Sequence, residues 1–178
     1  TSADLRISTS FAEITFDSQA LDSISGSASP GDIRISVRSV SPDTLSEDVR
    51  PKVGNRPVYD FTVTAGDTRV SDFGTGNATV SIPYTPAPGE DTNAIVIYYI
   101  NDNGDLQIVT NGRYDAATGR VTFTTSHFSY FAVGYNKVQF KDVPSSAWFS
   151  NAVSFIAARG ITEGVGEGNF APNKTLTR

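Results

Sequence analysis

Apolar and polar residues alternate along much of the first three quarters of the chain. Within residues 33–37, 59–63 and 121–123, every second position carries an apolar side chain. A period of two residues is typical of strands with one buried face. Residues 95–100 are continuously apolar, which predicts a central strand covered on both faces. The pattern therefore predicts a mainly β fold.

Turn-forming dipeptides separate these predicted strands. They stand at residues 103–104, 111–112 and 118–119, and each ends in glycine. Asn and Gly tolerate the positive φ that tight reversals require. Only residues 18–24 carry a short helical pattern in this part of the chain. Short strands joined by tight turns favour an antiparallel β-sandwich over residues 1–137.

The character of the sequence changes at about residue 138. A helix is predicted inside residues 147–159, with Ser145 or Ser146 as its N-cap and Gly160 just past its end. Four apolar residues lie on one face of that helix at helical spacing, namely Trp148, Ala152, Phe155 and Ile156. We therefore expect Trp148 to anchor the helix in a core, and Arg159 to complement the negative end of the helix dipole.

The composition limits the kinds of functional site and partner that the chain can have. The 178 residues are 38% apolar, carry a net charge of -5 and include one histidine and no cysteine, so disulfides and thiolate metal sites are excluded. The sequence also has no methionine, which suggests a segment of a longer protein. Lys and Arg do not cluster in the sequence, so a nucleic-acid partner is not predicted. No apolar run approaches the length of a membrane-spanning helix. We expect no metal and no cofactor.

The last 40 or so residues resemble the S-layer homology repeat from end to end. The matching positions are Phe140, Lys141, Asp142, Val143, Pro144, Trp148, Ala152, Val153, residues 158–161, Gly164, Gly168, Phe170, Pro172 and residues 176–178. The resemblance implies a short α-helical fragment of such a repeat over residues 138–178. On this interpretation the repeat is truncated within its closing Leu-Thr-Arg motif.

The resemblance implies a partner and a set of contacts. In that family, three repeats pack together and their grooves bind pyruvylated secondary cell wall polysaccharide. The polar contacts would fall on Asp142 and Arg178, while Trp148 and Gly164 would shape the groove. An arginine fork suits the carboxylate of a pyruvyl ketal. One truncated repeat cannot form a groove between repeats, so here Asp142 is expected to act as a turn or cap residue, and no glycan binding is expected of the segment alone.

The front region resembles the β-rich module that precedes S-layer homology repeats in exoproteins of Gram-positive bacteria and in cellulosome-associated surface proteins. The matching sequence positions are residues 80–84, 98–100, 104, 114–115 and 121–133. The resemblance implies a non-catalytic structural or spacer module of a secreted protein at the cell surface or cell wall. It also implies other surface-layer proteins as partners, and we expect no enzyme activity.

The tripeptide His127-Phe128-Ser129 supports an alternative hypothesis. It resembles the site at which certain nucleoporins and death-domain adaptor proteins cleave themselves between Phe and Ser. Ser129 would be the nucleophile and His127 the base, with the scissile bond after Phe128. The structural alternative is that Phe128 packs in the core while His127 and Ser129 bond to backbone groups. A further hypothesis is carbohydrate binding by exposed aromatic side chains of the sandwich.

Overall fold

The computed structural model describes residues 4–27 and 32–175, and it is built mainly from strands. The strands are β1 Leu5–Ser8, β2 Glu13–Phe16, β3 Ile33–Val40, β4 Val58–Ala65, β5 Thr68–Arg69, β6 Ala78–Pro83, β7 Ile95–Ile100, β8 Leu106–Val109, β9 Arg113–Asp115, β10 Arg120–Thr125 and β11 Tyr130–Tyr135. The α-helices are α1 Ser18–Gly26, α2 Arg50–Val53 and α3 Ser150–Ala158, and 3₁₀ turns cover Pro42–Thr44 and Thr92–Ala94.

The strands form two antiparallel sheets. The first has the order β1-β2-β6-β10-β9, and the second has the order β3-β4-β11-β7-β8 with β5 paired to β4. The two sheets face each other across one apolar core, as in a β-sandwich. The prediction of a mainly β, antiparallel sandwich followed by a short helix is confirmed.

Strand β7 is the central element that the continuous apolar run predicted. Ile95 and Ile97 point into the core between the sheets. The alternate residues Val96, Tyr98 and Ile100 point the other way and pack in a second apolar cluster on the outer face of the sheet. Side chains of successive strand residues point to opposite faces, so a strand covered on both faces needs apolar residues throughout.

The main core is built around phenylalanines. Phe128 is 2% exposed, and its ring centroid lies 5.1–5.5 Å from those of Phe16, Phe61 and Phe73. Rings at these tilted and edge-on angles add packing energy beyond the apolar area that they bury. The structure therefore places Phe128 where the structural alternative expected it.

Helix α3 differs from its prediction at its start and on its buried face. It begins at Ser150, and its N-cap residue Phe149 makes no side-chain capping bond. Residues 144–149 instead form turns, with Ala147 N–H donating to Pro144 O (2.9 Å). Because these residues are not helical, the helical spacing that started from Trp148 does not apply. The buried residues of α3 are Val153, Ala157 and Ala158, so the predicted face and the predicted serine cap were wrong.

Gly160 ends α3 as predicted. Its φ of 65° lies in the left-handed region, which glycine adopts without a steric penalty. The helix terminus is therefore set by the residue that the sequence pattern indicated.

Candidate functional site

Asp142 fixes the loop that follows helix α3. Its carboxylate oxygens accept hydrogen bonds from the backbone N–H groups of Phe170 (2.8 Å) and Ala171 (2.6 Å). The bond from Phe170 is the main cause that lowers the pKa of Asp142, because a hydrogen bond to the charged form favours ionisation. Ala171 has a φ of 58°, a conformation that is costly for a residue with a Cβ. Asp142 thus caps backbone groups 28 and 29 residues away.

Gly164 shapes the same loop. Its φ is 77°, and a Cβ added to it would lie 2.3 Å from the Asn169 carbonyl oxygen and 2.6 Å from the Phe140 ring. Val165 N–H donates to that same oxygen of Asn169 (2.8 Å). Only glycine leaves room for this close backbone approach. Asp142 and Gly164 are therefore brought together as the two residues that hold the loop between residues 164 and 171.

Trp148 lies at the surface rather than in a core. It is 92% exposed, and its ring stands edge-on to Phe149 with centroids 5.5 Å apart. The prediction that it anchors the helix was wrong, because the turns before Ser150 direct its side chain into solvent. Arg178, the fourth residue of the set that the resemblance implied, lies outside the described residues.

Arg159 is the residue that the sequence interpretation missed. It is 2% exposed, whereas a residue that only complements a helix dipole would remain in solvent. Its guanidinium donates to the carbonyl oxygens of Gly112 (2.8 Å), Asn93 (2.9 Å), Ile95 (3.0 Å) and, in its own helix, Phe155 (2.9 Å). Three of these four acceptors belong to the sandwich, so Arg159 ties helix α3 to it.

No carboxylate of the described residues forms an ion pair with Arg159. Burial lowers the pKa of Arg159 to about 10, so the side chain remains charged at neutral pH. Carbonyl dipoles and the Phe155 ring, whose centroid lies 3.4 Å below the guanidinium carbon, surround the cation. The planar fork of arginine allows several donors to be satisfied at once, which a lysine cannot match. The one sequence signal for this role was the pair of alanines before Arg159, which leaves space for a close helix approach.

Asp91 forms a second connection between the sandwich and helix α3. Its carboxylate accepts bonds from Lys137 Nζ (2.6 Å), Ser154 Oγ (2.8 Å) and the backbone N–H of Asn93 (3.0 Å). Burial alone would raise the pKa of Asp91, but these hydrogen bonds outweigh burial and hold the pKa at about 2. Asp91 and Lys137 also line a groove of about 440 Å³ at this junction, together with Ser150 and Ser154 of α3.

His127 and Ser129 flank the buried Phe128 and line one cleft together with Asp72. The His127 ring stands edge-on to Tyr99 with centroids 4.6 Å apart. Burial lowers the pKa of His127, and the charge of Asp72 opposes that effect. The Ser129 hydroxyl lies 3.5 Å from the carbonyl oxygen of Ile100.

No three His, Cys, Asp or Glu side chains lie together in a way that could hold a metal ion within residues 4–27 and 32–175. In that same part of the chain, no helix combines the length and the apolar character needed to cross a membrane.

Comparison with known proteins assigns the C-terminal segment. The model of the S-layer homology domain matches residues 139–178. No solved structure matches the chain.

Three relatives that the chain resembles over part of its length are long proteins. The amylopullulanase of Thermoanaerobacterium thermosulfurigenes is 32% identical over 108 residues, which is 58% of this chain and 6% of the relative. Outer membrane protein SlpA of Thermus thermophilus is 38% identical over 58 residues, which is 33% of this chain and 6% of the relative. The surface-layer 125 kDa protein of Lysinibacillus sphaericus is 37% identical over 82 residues, which is 43% of this chain and 7% of the relative. Residues 139–178 therefore match the S-layer homology domain, and the chain spans only a small part of the length of the relatives that it resembles.

Proposed function

We propose that this chain is the junction of a secreted cell-surface protein at which a non-catalytic β-sandwich, residues 1–137, meets its first S-layer homology repeat, residues 138–178. S-layer homology domains bind cell wall polysaccharide, so the repeat contributes to wall attachment. The sandwich acts as a spacer that carries the repeat. One relative is named a surface-layer protein and another an outer membrane protein, which supports a place at the cell surface and other surface-layer proteins as neighbours.

The observation that carries the spacer role is the contact made by Arg159. A spacer has to hold the attachment domain in a fixed orientation, and a flexible linker would not do so. Arg159 bonds to Gly112, Asn93 and Ile95 of the sandwich, and Ala158 packs in the apolar cluster on the outer face of the second sheet. Together with Asp91 these contacts support a rigid connection.

The residues proposed for the polysaccharide contact take different roles. Trp148 is exposed and can stack against a sugar ring. Both carboxylate oxygens of Asp142 are engaged by the loop backbone, so we assign it a positioning role, and Gly164 shares that role. Arg178 remains the proposed partner of an acidic sugar group.

Cosedimentation of the full-length protein with purified cell walls tests this proposal. We expect binding to walls that carry secondary polysaccharide and none to walls from which it has been removed. Trp148→Ala should weaken binding about tenfold, in line with the loss of about 1.4 kcal/mol of stacking. Tyr130→Ala is the matched control, because Tyr130 is an exposed aromatic residue of the sandwich. Equal binding to both kinds of wall would overturn the proposal.

Self-cleavage after Phe128 is a second candidate. One observation favours it: His127, Ser129 and Asp72 line the same cleft. Ser129 Oγ would add to the Phe128 carbonyl carbon, the C–N bond would break, and His127 would pass the hydroxyl proton to the departing amide nitrogen. Water would then hydrolyse the ester, which leaves a carboxylate on Phe128 and restores the hydroxyl of Ser129.

The backbone around the Phe128–Ser129 bond is regular, which makes self-cleavage the weaker of the two proposals. Phe128 N–H donates to Ser71 O (2.9 Å), and Ser129 O accepts from Phe61 N–H (3.0 Å), so regular hydrogen bonds hold both sides of the bond. Among the described non-glycine residues, only Glu167 and Ala171 have positive φ, and neither is near this peptide. The intact mass of the purified chain after long incubation tests the idea. Two fragments that disappear in Ser129→Ala would support it, and a single species of 19.0 kDa would contradict it.

A further inference from the structure

Two clefts lie side by side on the sandwich, and they share Tyr99 and His127. The larger, of about 390 Å³, lies where the edge strand β8 of the second sheet faces the end of strand β10 of the first. The smaller, of about 350 Å³, lies on the other side of the same aromatic pair. Both volumes are in the range of small-molecule sites. We call the larger cleft the Tyr99–His127 groove.

The lining of the larger cleft is polar but uncharged. Amides and hydroxyls alternate there with apolar groups, and no Asp, Glu, Lys or Arg takes part: the lining is Asn77, Tyr99, Gln107, Ile108, Val109, Thr110, Asn111, Thr124, Thr125, Ser126, His127 and Phe131. Burial lowers the pKa of His127, which favours the neutral form of the imidazole. A charged ligand would find no partner of opposite sign in this cleft.

Some of these polar groups are free to bind a ligand. The Asn111 amide is already used, since it donates to Thr124 O (2.9 Å) and accepts from Thr124 N–H (3.0 Å). Gln107, Thr110 and Ser126 are exposed, and their side chains make no hydrogen bond within the described part of the chain. These three residues therefore offer donors and acceptors in one place.

The wall of the groove is a rigid aromatic surface. His127 contacts Tyr99 edge-on at 4.6 Å and lies nearly parallel to Phe131 at 5.8 Å. Phe131 is fully buried, so it fixes the two outer rings in place. Aromatic faces carry partial negative charge and attract the positive C–H faces of a sugar ring.

We propose that the Tyr99–His127 groove binds an uncharged oligosaccharide. A sugar ring lies against Tyr99 and His127, and its hydroxyls bond to Gln107, Thr110 and Ser126. Hydroxyls both donate and accept, which matches a lining of neutral amides and hydroxyls. The smaller cleft beyond the aromatic pair carries Arg69, Asp72 and Asp102 and is not part of the proposed site. This site is separate from the S-layer homology segment and does not depend on wall attachment.

Nuclear magnetic resonance titration of the full chain tests the proposal. The probes are maltotetraose, cellotetraose and tri-N-acetylchitotriose, and the charged control is trigalacturonate. At least one neutral probe should shift the His127 imidazole signals saturably. Gln107→Ala and Ser126→Ala should each weaken that binding about tenfold, and Gln139→Ala, which removes an exposed amide outside the groove, should leave it unchanged. Tighter binding of trigalacturonate, no saturable shift with any neutral probe, or unchanged binding by both groove variants would overturn the proposal.

Discussion

The sandwich and the S-layer homology segment differ in how much core each has of its own. Among the described residues, the cluster between the two sheets contains 21 buried residues. The segment after residue 138 has a cluster of three buried residues, Phe140, Val153 and Ala157. Three of the six exposed large apolar residues, Trp148, Ile161 and Val165, also lie in this segment. A core of that size contributes little against the entropy of ordering the chain.

The difference shows where the stability of the segment comes from. Its helix takes support from the sandwich through the buried Arg159, the hydrogen bond from Ser154 Oγ to Asp91, and Ala158 in the outer apolar cluster. The main core between the sheets contains no residue of α3, so we expect the sandwich to depend less on the segment than the segment depends on it. We therefore expect changes in the sandwich to affect both regions, and changes at the junction to affect the segment alone.

Removal of a ring from the main core should give the largest effect. Phe61 is fully buried and contacts Phe128, Phe131 and Tyr59. Phe61→Ala should lower the free energy of unfolding by about 4 kcal/mol, through lost burial and the cavity left behind. Hydrogen exchange followed by mass spectrometry should show equal losses of protection in β4 and in α3. Phe61→Leu is the matched control and should cost less than half as much. Protection of α3 that survived the loss of β4 would contradict the dependence of the segment on the sandwich.

Removal of the arginine at the junction should give the next largest effect, and a local one. Arg159→Ala leaves the carbonyl groups of Gly112, Asn93 and Ile95 without their donor, which should cost about 3 kcal/mol of docking. Exchange of α3 amides should then accelerate about 100-fold, while amides of β11 keep their rates. Arg159→Lys keeps the charge but loses the planar fork, so an intermediate acceleration is expected.

Two experimental outcomes would contradict the separate stabilities proposed for the sandwich and the segment. Equal loss of protection in α3 and β11 would mean that the segment and the sandwich unfold as one unit. Unchanged exchange of α3 in Arg159→Ala would mean that Asp91 and the apolar contact of Ala158 suffice for docking.

Arg159 also illustrates what the sequence could predict. Strand periodicity located the sandwich because alternation is a local property, and the apolar run of β7 predicted burial on both faces. The buried position of Arg159 depends on carbonyl groups of Gly112, Asn93 and Ile95, which are distant in sequence. No local pattern around residue 159 reports on those acceptors.

The sequence predicted some residues of the candidate site correctly and others wrongly, for the same reason. The family resemblance picked out Asp142 and Gly164, and both shape one loop. Helical spacing failed for Trp148, because it assumed that the helix extended through residues 144–149. Turns that follow Pro144 replaced that extension, and the side chain points into solvent. The Tyr99–His127 groove joins residues of four strands, so it appears only in the folded chain.

Acid should weaken the junction through Asp91. The folded pKa of Asp91 is about 2, below the ordinary value of about 3.9 for the unfolded chain. A depressed carboxyl pKa stabilises the fold above the unfolded pKa, and this contribution is lost as the pH falls through the folded pKa. The contribution is on the order of 2 kcal/mol at neutral pH.

Asp91→Asn isolates this contribution from those of the other carboxylates. The wild-type chain should be more stable than the variant at pH 6, and the difference should shrink between about pH 4 and pH 2. Urea denaturation at a series of pH values measures this difference. A difference that is independent of pH would show that Asp91 acts through its hydrogen-bond geometry rather than its charge.

The smallest effect is expected at Asp142, because its bonds hold a loop and not the junction. Asp142→Ala removes the acceptors of Phe170 and Ala171 N–H, and Ala171 loses the contact that holds its positive φ. Exchange of these two amides should accelerate, while α3 and β11 keep their rates and the Tm falls by less than about 2 °C. Asp102→Ala is the matched control, since the Asp102 carboxylate makes no hydrogen bond to described residues. A large fall in Tm, or accelerated exchange of α3, would mean that the loop supports the docking of the whole segment, and the two regions would then share more of their stability than their separate cores indicate.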